Sequence, residues 1–260
     1  PRLFESTRYE LTDNASLTGG THRLRFGFDY NLNRAAQQRE SNILGRYDFT
    51  SLANYIARRI SRYRQTVSTL NADALTFRGN QKELAFFAQD KIALHRNLTL
   101  TAGLRWEGQW NPQPTNPNPA IPQSARIPND VAQWQPRLAL AWDACGNGNT
   151  VVRLSAGIFD ARTPANLFQR VFTDNGLNAL AVDSRTDATI LSLIQFPNPL
   201  TAFPPGLKVP VQRVFGFEPN FRNPRSFQTA ATIEQRLGKD LIVSLGYVHN
   251  STWKDRKSVV

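Results

Sequence analysis

The residues that most often carry enzymatic or metal chemistry are scattered along this chain. His22, His95 and His249 stand in separate segments, without HxxxH or HExxH spacing, which argues against a zinc or catalytic histidine site. The single cysteine, Cys145, excludes an internal disulfide and a multi-cysteine metal site. No serine lies in a GxSxG elbow. We therefore expect no metal, no cofactor and no enzymatic activity.

A glycine-rich stretch and a set of carboxylates offer weaker chemical alternatives. GNGN at Gly146–Asn149 is not followed by GK[ST], and a predicted strand rather than a helix comes next, so a phosphate loop is not expected. Carboxylates that could pair for acid–base work are Asp90, Asp143, Asp160 and Glu107. Except for the ambiguous Asp90, they fall on polar strand faces or near strand ends. Pairing with arginines of neighbouring strands is the favoured interpretation.

The elements that would position these side chains are unusually long strands. NLTLTAGLRWEGQW (Asn97–Trp110) alternates strictly between two faces. One face carries Leu98, Leu100, Ala102, Leu104, Trp106, Gly108 and Trp110; the other carries Thr99, Thr101, Gly103, Arg105, Glu107 and Gln109. An ordinary strand ends after about six residues. A strand twice as long, apolar on one face, is typical of a protein that crosses a bilayer with strands.

Seven further segments repeat this alternation less cleanly, and the last two in the following list are the weakest. They are Thr21–Asn33, Trp134–Ala144, Thr150–Asp160, Ser226–Leu237, Leu241–His249, Glu83–His95 and Arg2–Thr12. Strands of about 9–11 residues span a membrane when tilted, and most of these segments reach that length. The sequence contains no run of 18 or more apolar residues, so no transmembrane helix is predicted.

Short and long connections alternate after every long strand. Tight turns are predicted at Asp13–Gly20, His95–Asn97, Cys145–Asn149 and Gly238–Asp240. Long connections are predicted at Arg34–Lys82, Asn111–Val131 and Ala161–Asn223. Outer-membrane barrels have this arrangement, with short periplasmic turns and long extracellular loops. We predict an all-β, antiparallel transmembrane β-barrel segment in the bacterial outer membrane.

An open, curved sheet is expected for this chain rather than a closed barrel. Eight strands can close, but side chains must then fill the interior. The polar faces are too rich in small residues for that, since they carry Gly27, Gly103, Ala139, Ala141, Gly157 and Gly246 among arginines. The lumen-facing residues are predicted to be Arg25, Arg105, Glu107, Arg137, Asp143 and Arg153.

Aromatic residues gather near the loop ends of the strands. In a membrane barrel they would form the aromatic girdle at the outer interface, whereas in a soluble protein they would pack in a core. The predicted girdle residues are Tyr30, Trp106, Trp110 and Trp134. Two helices are expected inside the loops: FTSLANYIARRI with Thr50 or Ser51 as N-cap, and TPANLFQRVF with Thr163 before Pro164.

The formal net charge of +11 is spread along the chain. A nucleic-acid-binding protein would show a basic stripe with interleaved aromatic residues or a known module, and neither is present, so no nucleic-acid partner is expected. Attraction to anionic outer-membrane lipid or lipopolysaccharide explains such charge as well as a solvated basic surface does.

Several phrases together resemble one protein family. FFAQDKIALHRNLTLTAGLRWE, WQPRLALAWDACGNGNTVVRLSAGIFD and NPRSFQTAATIEQRLGKDLIVSLGYVHNS resemble barrel segments of TonB-dependent outer-membrane receptors, in particular the Oar-like group with a carboxypeptidase-regulatory-like domain. The resemblance implies uptake of a large or scarce substrate: a siderophore, an oligosaccharide or a peptide. It also implies energy from the TonB complex, delivered through a plug domain.

The departures from that family concern the chain's extent. No plug or TonB box is present, family barrels have many more strands, and the chain closes on KDRKSVV instead of an aromatic residue. Residues 1–260 are therefore expected to be one part of a single barrel domain. Alternatives from another class are a non-transporting surface barrel for binding or adhesion and a soluble β-sandwich binding module. The substrate, the full strand number and the oligomeric state stay open.

Overall fold

The computed structural model describes residues 4–38, 42–207, 211 and 214–253. Its long strands, here called the wall, are β1 (Phe4–Gly19), β2 (His22–Gln38), β5 (Thr76–His95), β6 (Leu98–Trp110), β7 (Asp130–Asp143), β8 (Thr150–Asp160), β10 (Arg225–Leu237) and β11 (Leu241–Trp253). They form one antiparallel eight-stranded sheet in the order β1-β2-β5-β6-β7-β8-β10-β11. The predicted all-β architecture is confirmed.

The first strands of the wall are longer than the sequence pattern suggests. β5 begins at Thr76 rather than near Glu83, and β2 continues to Gln38. The turn predicted over Asp13–Gly20 is wrong in extent, because β1 runs on to Gly19 and pairs with His22. Hydrogen bonding to a neighbouring strand extends each of these elements beyond the residues whose polarity alternates.

The wall is open, as expected. In the part of the chain that the structure describes, β1 pairs with β2 alone and β11 with β10 alone, so neither edge closes on the other. One face, here called the apolar face, exposes large side chains such as Leu138 and Trp134, each more than half exposed. The opposite, polar face carries Arg105 and Glu107. Exposed leucines in such numbers indicate that lipid covers the apolar face.

The long connections all lie at one end of the wall and contain their own secondary structure. Their elements are β3 (Arg46–Asp48), α1 (Leu52–Ile56), β4 (Arg62–Val67), α2 (Gln169–Thr173), β9 (Leu180–Asp183) and α3 (Ile190–Leu193). β3, β4 and β9 form a separate three-stranded sheet. Because β4 and β9 come from different connections, their pairing holds the two together. We call the described residues of these connections the loop unit.

Hydrophobic cores occur in the loop unit and where it meets the wall. One cluster consists of Tyr63, Val67, Leu180, Val182, Ile190 and Ile194. A second cluster consists of Phe77, Ile127, Phe168, Val171 and Phe172. Phe77 belongs to β5, so the second cluster seats the connections against the loop end of the wall.

The helices of the loop unit agree in part with the sequence. Ser51 caps α1 as predicted, since its Oγ accepts a hydrogen bond from the Asn54 N–H at 3.1 Å. The expected cap at Thr163 is wrong: its hydroxyl donates to Asn223 Oδ1 at 2.7 Å, and a 3₁₀ turn at Ala165–Leu167 precedes α2. A polar partner from the end of the same loop replaces the capping bond.

Among the described residues, no helix is long and apolar enough to cross a bilayer.

Candidate functional site

A cluster of buried charges lies on the polar face near the loop end of the wall. Arg105 Nη1 contacts Asp29 Oδ2 at 2.6 Å, and its Nε contacts Glu107 Oε2 at 3.1 Å. Arg162 Nε donates to the other Glu107 oxygen at 2.6 Å, and its Nη1 contacts Glu83 at 2.9 Å. The Glu107 side chain is only 6% exposed, so both arginines are needed to compensate its buried charge.

Arg162 gives this cluster a second role. It is the second residue after β8 and belongs to the longest connection, whereas Glu83 and Glu107 belong to β5 and β6. The ion pairs therefore hold the start of a loop against the polar face of two wall strands. Charge-assisted bonds of this length are about twice as strong as neutral ones, and they fix geometry as well as energy.

Beside the charges, a network of amides joins the same loop to the wall. Gln81 Nε2 and Gln109 Nε2 both donate to the Thr163 carbonyl, at 2.7 and 3.0 Å. Asn223 Nδ2 donates to Gln109 Oε1 at 2.9 Å, and the Asn223 N–H donates to Asp130 at 2.9 Å. Thr163 lies near the start of the longest loop and Asn223 at its end, so both ends of this loop are held on the polar face.

The network leaves buried hydrogen-bonding capacity unused. Gln133 Oε1 and Gln135 Nε2, both on the polar face of β7, are buried without a partner among the described residues. Unpaired buried amides are costly, so such groups favour a water molecule or a polar ligand beside them.

Nearer the short turns, small side chains leave shallow depressions in the polar face. Gln89, Gly103 and Arg137 line two shallow depressions of about 300 and 250 Å³. The Arg137 guanidinium lies 4.6 Å from the centre of the Phe159 ring. Small residues at Gly103 and Ala139 leave this part of the face concave and polar. Such a surface suits the wall of a wide pore better than a packed interior.

The structure brings some of the predicted lumen-facing residues together and separates others. Arg105 and Glu107 meet in the charge cluster. Arg25 Nη2 donates to Asn14 at 3.1 Å, and Arg153 pairs with Glu234 at 2.5 Å. Asp143 instead accepts bonds from the N–H groups of the β7–β8 turn. Exposure to a lumen stays a prediction for all six residues.

Among the described residues, no group of three or more metal-ligating side chains is close enough to hold an ion.

The aromatic side chains of the apolar face form a row across neighbouring strands. Phe28, Phe86, Trp106 and Trp134 follow one another on β2, β5, β6 and β7, with ring centroids 6.4, 6.1 and 6.5 Å apart. Sequence reasoning missed Phe28 and Phe86, because the row exists only in the register that sets these residues opposite one another.

The other predicted girdle residues lie nearer the loops. Trp110 is two same-face positions beyond Trp106, and its ring folds over Gly108, where a side chain would clash. Tyr30 lies opposite Leu84, one same-face step closer to the loops than Phe28. The girdle assignment of Tyr30, Trp106, Trp110 and Trp134 stays a prediction.

The loop unit has its own polar and aromatic features. Tyr47, Phe49, Tyr55 and Phe196 form contacts with ring centroids 5.1–5.8 Å apart. Burial raises the pKa of the Tyr63 phenol to about 12, although a hydrogen bond from the Leu200 N–H opposes that shift. The hydrogen bond from Arg62 lowers the pKa of Asp183, against the effect of burial.

Comparisons with known proteins agree with this architecture. The model of a family described as "Outer membrane beta barrel domain" matches residues 1–258. The solved structure of the outer membrane transporter YddB from Escherichia coli is similar, with a TM-score of 0.57 and 14% identity over 94% of this chain. The match covers 25% of YddB, so the chain spans about a quarter of that transporter's length. No match is found among curated proteins.

Proposed function

Because this chain belongs to the outer membrane β-barrel domain family, which places it in the bacterial outer membrane, we propose that it forms part of the wall of a TonB-dependent transporter. The structural likeness to an outer membrane transporter supports the transport class. The finer assignment to the Oar-like group rests on the sequence resemblance.

The observation that carries this proposal is the attachment of the longest loop to the polar face. Its first residues, Arg162 and Thr163, and its last, Asn223, bind side chains of β5 and β6. The loop surface and the polar face thus form one continuous polar region. A ligand captured by the loops would meet amides and paired charges all the way into the lumen.

The edges of the wall support a larger barrel. β1 and β11 each present a free ladder edge in the described structure. Unpaired backbone groups cost several kcal/mol each in hydrocarbon, so a membrane sheet is stable only when both edges are paired. Further strands of the same barrel are the natural partners, and a plug domain inside it would transmit the action of the TonB complex.

The groups available on the polar face and in the loops support the proposed substrate class. The polar face offers guanidinium groups, carboxylates and amides, and the loop unit adds the partly exposed rings of Tyr47, Phe49 and Tyr55. Aromatic rings beside hydrogen-bonding groups suit a siderophore, an oligosaccharide or a peptide. We assign the chain a binding and transport role, with no enzymatic step.

Uptake by living cells tests the proposal. Cells with and without the gene grow in the same medium, and mass spectrometry follows the loss of medium compounds with and without a protonophore. We expect a set of polar compounds to be depleted only by cells that carry the gene and maintain a proton gradient. Depletion that is independent of the gene, or unaffected by the protonophore, would contradict transport.

Variants connect that uptake to the polar face. Gln109→Ala removes the amide that bonds to both ends of the longest loop, at Thr163 and Asn223. It should slow uptake several-fold, because the loop is then no longer attached firmly to the polar face. Gln228→Ala on β10 removes an exposed amide that, among the described residues, bonds to Ser226 alone, and it serves as the control. Ligand binding that persists without any uptake would favour the non-transporting binding or adhesion barrel instead.

A further inference from the structure

A basic depression lies on the apolar side of the wall, just above the point where β6 ends. β6 stops at Trp110, opposite Lys82, whereas β5 continues to Thr76. The space beside the extension of β5 is bounded by the β6–β7 connection and measures about 920 Å³. Its lining includes the cations Arg78, Lys82 and Arg126 and contains no carboxylate.

The three cations are exposed and have no ion-pair or hydrogen-bond partner in the part of the chain that the structure describes. Other arginines at this end of the protein are paired, such as Arg162 with Glu83 and Glu107, and Arg222 with Asp130. Asn80 and Asn129 add amide groups to the same lining. Unpaired cations gathered around one depression repel one another unless an anion lies between them.

Strand register sets the height of this depression above the membrane. Lys82 and Arg78 share the face of Phe86, which belongs to the aromatic row. Ile92 lies on the same face of β5, near the short turn to β6. At about 3.4 Å per residue, β5 rises roughly 34 Å from Ile92 to Lys82. At a strand tilt near 40°, this length corresponds to about 26 Å along the membrane normal. The apolar band of such barrels is about 25 Å tall. Lys82 therefore lies at the level of the outer-leaflet headgroups.

We propose that Arg78, Lys82 and Arg126 bind a phosphate group of the lipid A headgroup of lipopolysaccharide. Lys82 and Trp110 in its lining are two same-face positions nearer the loops than Phe86 and Trp106 of the aromatic row. A lipid whose acyl chains cover that row therefore brings its headgroup to these cations. Trp110 forms part of the lining and offers its ring at the interface between chain and headgroup. This inference requires the outer-membrane location but not transport, and it identifies a lipid site that the proposed uptake does not need.

Lipid binding by the protein purified from outer membranes tests the site. Native mass spectrometry measures the affinity for lipid A, for dephosphorylated lipid A and for inorganic phosphate. In the triple variant R78Q/K82Q/R126Q, lipid A affinity should fall roughly 10- to 100-fold, because each cation near an anionic surface contributes a few-fold. Dephosphorylated lipid A should bind the wild type and the variant equally.

Matched variants keep the test independent of folding and of total charge. R58Q/R59Q/R185Q removes the same charge from exposed loop arginines outside the depression and should retain lipid A affinity within about twofold. R78K/K82R/R126K keeps every charge and should bind nearly as the wild type does. An equal loss in the loop control, or no loss in R78Q/K82Q/R126Q, would overturn the site. Displacement of lipid A by equimolar inorganic phosphate would overturn the lipid as its source.

Discussion

The wall and the loop unit place the same types of residue in opposite positions. In the loop unit, Phe168 and Leu180 are buried. In the wall, Leu138 and Leu245 are more than half exposed, while Glu107 and Gln109 are buried on the other face. The loop unit is organised for water on its outside, and the wall for lipid on one side and water on the other.

The solvent that surrounds each region, together with the polarity of a residue, decides whether that residue is buried or exposed. This difference also predicts that the two regions respond separately to change. A cavity in the loop unit should spare the wall, and a charge on the apolar face of the wall should spare the loop unit.

The largest effect is expected in the hydrophobic cluster that seats the loop unit against β5. Phe168 is fully buried and packs on Phe217, with ring centroids 5.5 Å apart. Phe168→Ala should lower the free energy of unfolding of the loop unit by about 3–5 kcal/mol, because it removes a large side chain and leaves a cavity. Hydrogen exchange should show faster exchange at α2 and unchanged protection in β6 and β7. Phe168→Leu is the milder control. Equal loss of protection in the wall would refute the separation of the two regions.

A charge on the apolar face comes next in size. Leu138 lies halfway along β7 between Trp134 and Trp142, so Leu138→Arg would place a cation near the bilayer midplane. We expect the free energy of unfolding in lipid vesicles, measured by urea titration, to fall by about 2–4 kcal/mol. Ala139→Arg, one residue along on the polar face, should cost far less. Equal costs would mean that both faces meet the same solvent.

Breaking the contact between the two regions should destabilise the protein by an intermediate amount. Arg162→Gln removes a cation from Glu83 and Glu107 and should destabilise the docked loop by about 1–2 kcal/mol, since solvent screens part of the interaction. Adding Glu83→Gln should recover part of that loss, because the second change removes an uncompensated charge. A double-mutant cycle on urea unfolding measures this coupling. Strict additivity would show that the Arg162–Glu83 pair does not hold the loop.

The smallest effect concerns acid. The pKa of Asp183 is lowered by its hydrogen bond from Arg62, so the bond stabilises the folded loop unit above the ordinary value of 3.8. That stabilisation should be lost as pH falls below 3.8 and through the lowered pKa. Circular dichroism melts of the wild type and of Asp183→Asn from pH 6 to about pH 2.5 check this. The difference between the two should shrink on acidification, and a constant difference would contradict the assignment.

The wall could be predicted from the sequence far better than the loop unit. A period of two is a local pattern, and it identified β6, β8 and β10 almost to their ends. It missed the start of β7 at Asp130 and the end of β11 at Trp253. The three-stranded sheet escaped prediction because β3, β4 and β9 are short, and because β4 pairs with β9 across more than a hundred residues. Thr163 was misread for a related reason. Its partner, Asn223, lies at the far end of the same loop, and no local pattern records that distance.

The functional residues divide in the same way. Arg105 and Glu107 are visible as polar alternation within one strand, and both belong to the charge cluster. Arg162, Gln81 and Asn223 were missed, since their importance arises from a loop that returns to the wall. The aromatic row was half visible: Trp106 and Trp134 stand out by type, but Phe28 and Phe86 are recognised only through strand register.

The exposure of alternate residues of β6 to lipid or to water decides whether the wall has one lipid face and one water face. Single cysteines at Leu100, Ala102 and Leu104, and at Thr99 and Thr101, are introduced in a Cys145→Ser background and spin-labelled in lipid vesicles. Collisions with oxygen report lipid, and collisions with a water-soluble nickel complex report water. We expect strict alternation, with the first set reached by oxygen and the second by nickel. Nickel access to both sets, or to neither, would contradict a wall with lipid on one face and water on the other.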